Sequence, residues 1–363
     1  SPAAANRSGA VGQWSVVCRP RSAVGGRPRL PMRTPPSRAT IPGVVKLIIQ
    51  IPCYNEAETL PLALAGLPRA IPGIDCIETL IIDDGSSDNT AAVAAAHGVS
   101  PSHIIRHPQN LGLARAFQSG LDACLRLGAD VIVHTDADNQ YPGHYIPDLV
   151  APVLAGQADM VIGDRQVATI DHFSPLKKRM LALGSWMVRN VSGTAVPDAV
   201  SGFRAYSREA ALRFTILTRY SYTLETVIQA GKLGLGVVSI PITTNPPTRP
   251  SRLQRSMWHF IKAQAGTILR LYAFYEPLRT FSYIAAPFLL LGAALWARFF
   301  VNYLQGESGV GRFIQSLTLG TGLLMVGALI VLFGVQADIS GKHRLLTQEV
   351  LYRLKKMELE DDR

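Results

Sequence analysis

Carboxylate and amide side chains alternate directly after one short apolar segment of the chain. Asp136, Asp138 and Gln140 follow residues 131–135, which are apolar and β-branched enough to predict a buried strand. Alternating positions in an extended segment or tight turn can direct several oxygen atoms at one point. Hard oxygen ligands of this kind suit Mg²⁺ or Mn²⁺. We therefore predict a divalent cation site here, in preference to the alternative of a solvated turn.

A regular alternation of short strands and helices would position these oxygen ligands. Strands are predicted at residues 44–51, 76–82, 102–106, 131–135 and 160–163, and helices at residues 56–67, 90–97 and 111–127. This order predicts an α/β fold with a mixed, mainly parallel sheet and helices on both faces. Ligands of such sheets bind beyond the carboxyl ends of the strands, where further polar clusters stand at residues 54–56 and 83–84.

Charge is distributed unevenly along the 363 residues, whose formal net charge is +10. Residues 44–163 contain 13 acidic and 5 basic residues, whereas residues 164–280 contain 16 basic and 6 acidic residues. An acidic block followed by a basic block does not make one continuous face for nucleic acid, so we expect no nucleic-acid partner. It fits a site that holds a cation on one side and anions on the other. Residues 1–43 have seven arginines and no acid, which predicts a disordered basic tail.

Two long apolar segments predict a transmembrane hairpin at residues 281–336. Residues 281–304 carry Arg298 toward the distal end, and residues 313–336 carry no charge. Each is long enough to cross a hydrocarbon core of about 30 Å; the alternative is a helical pair buried in a soluble core. Basic residues flank the hairpin on its outer ends, which places the large domain at residues 44–250 on the cytosolic side of the membrane. Four scattered cysteines fit that reducing compartment.

Basic amphipathic helices are predicted within the large domain and after it. A helix at residues 174–191 suits the membrane interface or an ordinary surface position, and the two apolar spans favour the interface. Its apolar stripe consists of Leu176, Met180, Leu183, Met187 and Val191, with Trp186 nearby. Residues 251–280 predict similar juxtamembrane helices, and residues 337–363 predict a cytosolic amphipathic tail.

Four motifs, in this order and spacing, resemble the family-2 glycosyltransferases of the GT-A fold. They read IPCYNE at residues 51–56, IDDGSSDNT at 82–90, NLG at 110–112 and TDAD at 135–138. Within that family the chain is most similar to dolichol-phosphate mannose synthases and bacterial polyprenyl-phosphate glycosyltransferases. That likeness rests on DADNQ at 136–140, IGDR at 162–165, Asp198 with SGFR at 201–204, IPI at 240–242 and the C-terminal hairpin. The resemblance covers residues 44–280 and, more loosely, the two spans.

The resemblance implies a role for each residue that matches a family motif. The positions that hold the nucleotide sugar are Pro52, Tyr54, Glu56, Ile82, Asp84, Asp136, Ala137, Asp138, Arg165, Arg249 and Arg252. The ligands of Mg²⁺ or Mn²⁺ are Asp136, Asp138 and Gln140, and the positions that hold the acceptor phosphate are Arg165, Arg179 and Ser185. Asp138 and Arg165 would be the catalytic residues. The loop with Arg249 and Arg252 reads TRPSRL at residues 248–253, which departs from the commoner family pattern.

The activity implied by the resemblance is inverting transfer of a sugar from a GDP- or UDP-sugar to a polyprenyl phosphate, either dolichyl or undecaprenyl. A phosphate monoester has a second pKa of about 6 and is an anion at neutral pH, so it needs no general base. One alternative is a membrane polysaccharide or glycolipid synthase with a hydroxyl acceptor, for which Glu225 would be the base. Another is a nonenzymatic membrane scaffold, which the intact acidic motifs disfavour. Self-association into a homo-oligomer stays open.

Overall fold

The computed structural model describes residues 44–167, 175–216, 222–246, 270, 272–305 and 314–361. The predicted basic tail at residues 1–43 and most of the juxtamembrane segment at residues 251–280 lie outside these ranges. The chain divides into two compact units, Ser1–Leu253 with Lys355–Arg363 and Gln254–Leu354. Each unit is described by itself below.

The first unit is built on a sheet that has seven strands within the described ranges. They are β1 (Lys46–Cys53), β2 (Cys76–Asp83), β3 (Ile104–Arg106), β4 (Val131–His134), β5 (Met160–Asp164), β6 (Arg204–Ser207) and β7 (Val237–Pro241). Their spatial order is β3-β2-β1-β4-β6-β5-β7. All neighbours are parallel except β6, which runs antiparallel to both β4 and β5. The predicted mixed, mainly parallel sheet is therefore confirmed.

Helices cover both faces of this sheet, as expected for a GT-A fold. The helices of this unit are α1 (Leu60–Ala65), α2 (Thr90–Ala96), α3 (Leu113–Arg126), α4 (Ile146–Leu154), α5 (Pro175–Ser192), α6 (Arg208–Arg213) and α7 (Tyr222–Lys232). On one face, Leu47, Ile49 and Ile51 of β1 share a buried core with side chains of α1, α2 and α4. On the other face, a Cβ at Gly120 of α3 would lie 2.1 Å from Gln50 Oε1, so only glycine permits this approach.

The second unit contains two helices that are long and apolar enough to cross a membrane. They are α8 (Pro277–Leu304) and the first part of α9 (Ile314–Asp361). The helices approach closely at glycines, since a Cβ on Gly292 would lie 2.9 Å from the carbonyl oxygen of Gly320. Large apolar side chains point outward, and Leu290 is 71% exposed and Leu332 is 62% exposed. The alternative of a helical pair buried in a soluble core is therefore not what the structure shows.

The predicted C-terminal tail is continuous with the second apolar helix. α9 runs unbroken through 48 residues, which corresponds to a length of about 72 Å. Gly341 lies inside it, but no proline follows to end the helix. Residues 337–361 therefore extend the apolar helix and do not form a separate element.

Candidate active site

The carboxyl ends of three neighbouring strands place the predicted site loops side by side. Cys53 at the end of β1 pairs with Asp83 at the end of β2. His134 at the end of β4 pairs with Gln50 of β1. The segments that leave these strands therefore begin at the same edge of the sheet, as the sequence predicted.

The segment after β4 forms a tight turn that presents two carboxylates. Asp138 Oδ1 accepts a hydrogen bond of 3.1 Å from the backbone N–H of Gln140, and Asn139 between them has a φ of 58°. Ala137 is buried, whereas the Asp136 side chain is 35% exposed. Within the described ranges, no hydrogen bond reaches the Asp136 carboxylate.

The two carboxylates of this turn repel each other. The pKa of Asp136 is raised to about 7, with partial burial as the largest cause; Asp138 and, more weakly, Glu56 act in the same direction, and Arg165 opposes them. A divalent cation would remove this penalty, and carboxylate and amide oxygens are suitable ligands for Mg²⁺ or Mn²⁺. The described residues contain no cluster of three or more His, Cys, Asp or Glu that could hold a metal alone. The donor set therefore fits a cation that also binds oxygens of a ligand, and the metal stays a prediction.

Arg165 faces this turn from the end of β5 and is fixed by an aspartate that precedes β6. Its Nε donates to Asp198 Oδ2 at 2.7 Å and its Nη2 donates to Asp198 Oδ1 at 2.9 Å. Burial opposes the charged form, but Tyr141, Asp198 and Asp136 together raise the pKa of Arg165. The guanidinium is thus permanently charged and oriented by a forked ion pair. The sequence motifs include Asp198 but assign it no role.

A buried polar chain lies beneath Asp136. Tyr222 Oη is 2.8 Å from His134 Nε2, and the Gln50 side-chain amide is 3.2 Å from His134 Nδ1. Burial, with a smaller contribution from Arg204, lowers the pKa of His134 to about 3, so the ring is neutral and has one donor and one acceptor nitrogen for these two neighbours. Sequence reasoning missed this chain, because a lone histidine and a tyrosine 88 residues apart leave no local pattern.

Close packing at Gly202 joins this buried chain to the carboxylate turn. A Cβ at Gly202 would lie 2.9 Å from Tyr222 Oη and 3.3 Å from Asp136 Oδ2. A side chain at this position would displace one of these groups. The glycine of the SGFR motif therefore leaves space for the Asp136 carboxylate.

The loops after β1 and β2 are joined by several hydrogen bonds. Asn55, with a φ of 55°, donates its N–H to Ser86 Oγ at 2.9 Å, and its Oδ1 accepts from the Ser87 N–H at 2.8 Å. The Glu56 N–H donates to Thr90 Oγ1 at 2.9 Å. The two loops therefore form one platform, which places exposed Tyr54 and partly buried Glu56 beside it. The helix predicted from residue 56 begins only at Leu60, because residues 55–57 make these loop contacts.

The predicted base-contacting residues at the end of β2 are buried. Ile82 has no exposed surface, Pro52 is also buried, and the Asp84 carboxylate accepts hydrogen bonds from His107 Nδ1 and from the backbone N–H groups of Leu111 and Gly112. A carboxylate with these three donors holds the NLG loop in place. Beside it lies a cavity of about 320 Å³, lined by Gly85, Ser86, Arg106, His107 and Pro108. That cavity, more than Ile82 or Asp84, offers surface to a ligand.

The predicted acceptor residues lie in different environments. Arg179 is exposed on α5, but Ser185 on the same helix is buried and its hydroxyl accepts from the Ala199 N–H at 3.3 Å. Arg249 and Arg252 lie outside the described residues. The structure therefore brings Asp136, Asp138 and Arg165 together but leaves the two acceptor assignments as predictions.

The outward face of α5 differs in part from the predicted stripe. Leu176, Leu183 and Trp186 are exposed, the last to 51%, whereas Val191 is buried against the domain. Arg179 lies on the exposed side. An exposed face of two leucines and a tryptophan beside a cation is the composition of an interfacial helix.

The family model described as glycosyl transferase family 2 matches residues 48–214. The fold of this chain is distantly similar to that of glucosyl-3-phosphoglycerate synthase from Mycobacterium tuberculosis, which was solved with Mn²⁺, uridine diphosphate and phosphoglyceric acid. It has 20% identity and a TM-score of 0.48 and covers 63% of this chain and 78% of that one.

Named relatives are closer in sequence. The polyprenol monophosphomannose synthase of Mycolicibacterium smegmatis is 31% identical over 215 residues, 56% of this chain and 79% of the relative. The undecaprenyl-phosphate mannosyltransferase of Micrococcus luteus is 33% identical over 208 residues, 55% and 83% of the two chains. The UDP-N-acetylglucosamine–dolichyl-phosphate N-acetylglucosaminyltransferase of Methanococcus voltae is 30% identical over 217 residues, which are 53% of this chain and 83% of the relative. The chain therefore belongs to glycosyl transferase family 2.

Proposed function

We propose that this protein transfers a sugar from a GDP- or UDP-sugar to a polyprenyl phosphate at the cytosolic membrane face, with inversion at the anomeric carbon. The observation that carries the proposal is the mutually repelling Asp136–Asp138 pair beside the Asp198-bound guanidinium of Arg165. Such a site attracts a cation and a phosphate at once. The names of the three relatives support a polyprenyl- or dolichyl-phosphate acceptor.

Asp136, Asp138 and Gln140 would hold Mg²⁺ or Mn²⁺ together with diphosphate oxygens of the donor. The bound cation would stabilise the negative charge that grows on the leaving diphosphate. Arg165 carries a fixed positive charge that acts on Asp136 and would act on phosphate oxygens in the same way. The platform with Tyr54 and Glu56 would hold the nucleoside, with the adjacent cavity of about 320 Å³ available to the base.

The acceptor chemistry needs no base from the protein. A polyprenyl phosphate is already an anion at neutral pH, since its second pKa is about 6. Glu225, the candidate base for a hydroxyl acceptor, has no exposed surface on α7. Its burial favours the phosphate acceptor over the polysaccharide or glycolipid synthase.

Membrane attachment would bring the site to its lipid substrate. α8 and α9 contain two apolar spans, and the basic residues that flank these spans favour a cytosolic position for the domain. The exposed face of α5, with Trp186 and Arg179, would contact the lipid headgroups. Arg179 and Arg165 are then the proposed ligands of the acceptor phosphate.

The experiment is transfer by membranes that contain the full chain, supplied with polyprenyl phosphate and a panel of labelled GDP- and UDP-sugars. We expect one donor to yield a glycosyl phosphoryl polyprenol, identified by mass, in a reaction that stops on chelation of divalent cations. Membranes with Asp138→Ala are the control. Product found only on a sugar or lipid hydroxyl would refute the proposed acceptor.

A further inference from the structure

The segment that follows β7 contacts the carboxylate turn through one asparagine. The Asn245 backbone N–H donates to the carbonyl of Gln140 at 2.9 Å. Its side-chain Nδ2 donates to the carbonyl of Asn139 at 2.8 Å. One residue, 106 positions away from Asn139, thus holds two successive carbonyls of the turn.

This turn needs external support because its backbone conformation is uncommon. Asn139 has a φ of 58°, in the left-handed region that side-chain-bearing residues rarely occupy. Within the turn, the 3.1 Å bond from the Gln140 N–H to Asp138 Oδ1 is one local restraint. The direction of the Asp138 and Gln140 side chains depends on this backbone, so a residue that fixes both carbonyls also fixes these side chains.

The segment that carries Asn245 has its own separate attachment. Two residues earlier, Thr243 Oγ1 lies 2.9 Å from Tyr145 Oη, and the Thr243 N–H donates to the same oxygen at 3.3 Å. The Ile242 N–H donates to the carbonyl of Asp164 at 2.8 Å. The segment is therefore anchored without the Asn245 amide, so the Nδ2 bond acts mainly on the turn.

We infer that Asn245 is a positioning residue for the carboxylate turn at residues 136–140. By holding this turn, Asn245 makes the side chains of Asp138 and Gln140 converge on a divalent cation. The inference rests on the proposed metal-dependent transfer. Asn245 does not touch the cation in this assignment; it acts through the carbonyls of Asn139 and Gln140. Its effect should therefore be seen in cation affinity before it is seen in chemistry.

The test compares Asn245→Ala with Thr243→Val in the purified full chain. Free Mn²⁺ is measured by electron paramagnetic resonance while Mn²⁺ is titrated in the presence of GDP or UDP, against a protein-free blank, and thermal melting checks that each variant is folded. Because loss of one partly buried hydrogen bond corresponds to about a five- to tenfold change in an equilibrium, we expect Asn245→Ala to bind Mn²⁺ about five- to tenfold more weakly. Thr243→Val, which loosens the same segment but leaves the turn bonds intact, should stay within about twofold of wild type.

Kinetics provide a second readout that a purely structural role would not move. We expect the activity of Asn245→Ala to recover toward the wild-type kcat at saturating Mn²⁺, since the reacting groups are unchanged. Asn245→Ser, which removes less packing volume, replaces it if Asn245→Ala does not fold. Wild-type Mn²⁺ affinity in the Asn245 variants, or equal losses in the Asn245 and Thr243 variants, would overturn the inference alone. A wild-type chain that transfers sugar without binding Mn²⁺ would instead refute the metal in the proposed function.

Discussion

Acidic side chains at the amino edge of the sheet differ from the Asp136–Asp138 pair at its carboxyl edge. At the amino edge, Asp75 Oδ2 accepts from the Val45 N–H at 2.8 Å and Asp130 Oδ2 accepts from the Lys46 N–H at 2.9 Å. Glu78 near the start of β2 binds Lys46 Nζ and His103 Nε2, both at 2.8 Å. Every one of these carboxylates therefore contributes to holding strands or loops together.

At the carboxyl edge, the charge of Asp136 is a cost to the folded chain. Burial and Asp138 raise the pKa of Asp136 to about 7. For Glu78, burial acts in the same upward direction, but the hydrogen bonds and charges of Lys46 and His103 outweigh it and lower the pKa. Asp75, Asp130 and Glu78 thus serve the fold, as Asp84 does at the carboxyl edge, whereas Asp136 and Asp138 repel each other. Such repulsion is expected of a pair whose charge a bound ligand would neutralise.

The largest expected effect separates the two edges directly. Asp138→Ala should lower kcat by about 1000-fold or more, because it removes a proposed ligand of the cation that would stabilise the leaving diphosphate. Its melting temperature should change little, because relief of the repulsion with Asp136 offsets loss of the hydrogen bond from the Gln140 N–H. Asp130→Ala is the matched control from the amino edge. It should retain activity but lose about 1 kcal/mol of stability with its hydrogen bond to Lys46.

These two variants are assayed for sugar transfer and for thermal melting in the same detergent. Full transfer by Asp138→Ala would remove Asp138 from the reaction and weaken the contrast between the edges. Loss of transfer in Asp130→Ala at full folding would show that the amino edge also serves the reaction.

A smaller effect is expected at the ion pair that orients Arg165. Asp198→Asn should lower kcat/KM by about 100-fold, because the guanidinium loses its charged partner and its fixed direction. Stability should fall by about 3 kcal/mol, as expected when one partner of a buried ion pair is removed. The matched control is Glu209→Gln, which weakens the partly exposed pair with Arg213 on α6. That change should cost under about 1 kcal/mol and leave transfer unchanged.

The measurements are transfer kinetics at saturating divalent cation and melting temperatures of the full chain. If Asp198→Asn loses stability but keeps wild-type kcat/KM, Arg165 does not act on the phosphates and Asp198 is only structural.

Sequence patterns predicted the parts of the fold that have strong local signals. The β-branched runs located β2 and β4 to within one residue at each end, and the acidic turn after β4 followed from them. The strand β6 escaped notice because it has four residues and begins with an arginine. Arg204 is fully buried there, and its guanidinium donates to the carbonyls of Ser201, Ala199 and Thr223. No local sequence pattern predicts such an environment.

The candidate site divides in the same manner. Asp136, Asp138 and Arg165 were predicted because motifs at strand ends mark them. Tyr222 and Asn245 were not predicted, because each reaches the site from a segment about 90 to 110 residues away and acts through only one or two hydrogen bonds. The burial of Ser185 and Asp84 could not be foreseen either, since it depends on how α5 and the NLG loop pack.

The smallest expected effect concerns Glu78 and is a pH dependence. Because the pKa of Glu78 is lowered in the folded chain, its charge adds stability above the ordinary carboxyl pKa of about 4.3, and this contribution is lost as the pH falls through the folded value. Glu78→Gln should therefore cost about 1 kcal/mol at pH 7 and nothing once the pH lies below the folded pKa. Melting temperatures of the two chains should converge on acidification, while transfer at pH 7 is unchanged. A difference that stays constant with pH would mean that the side chain contributes by packing and not by charge, and the amino edge would then owe less to its ion pairs than its geometry indicates.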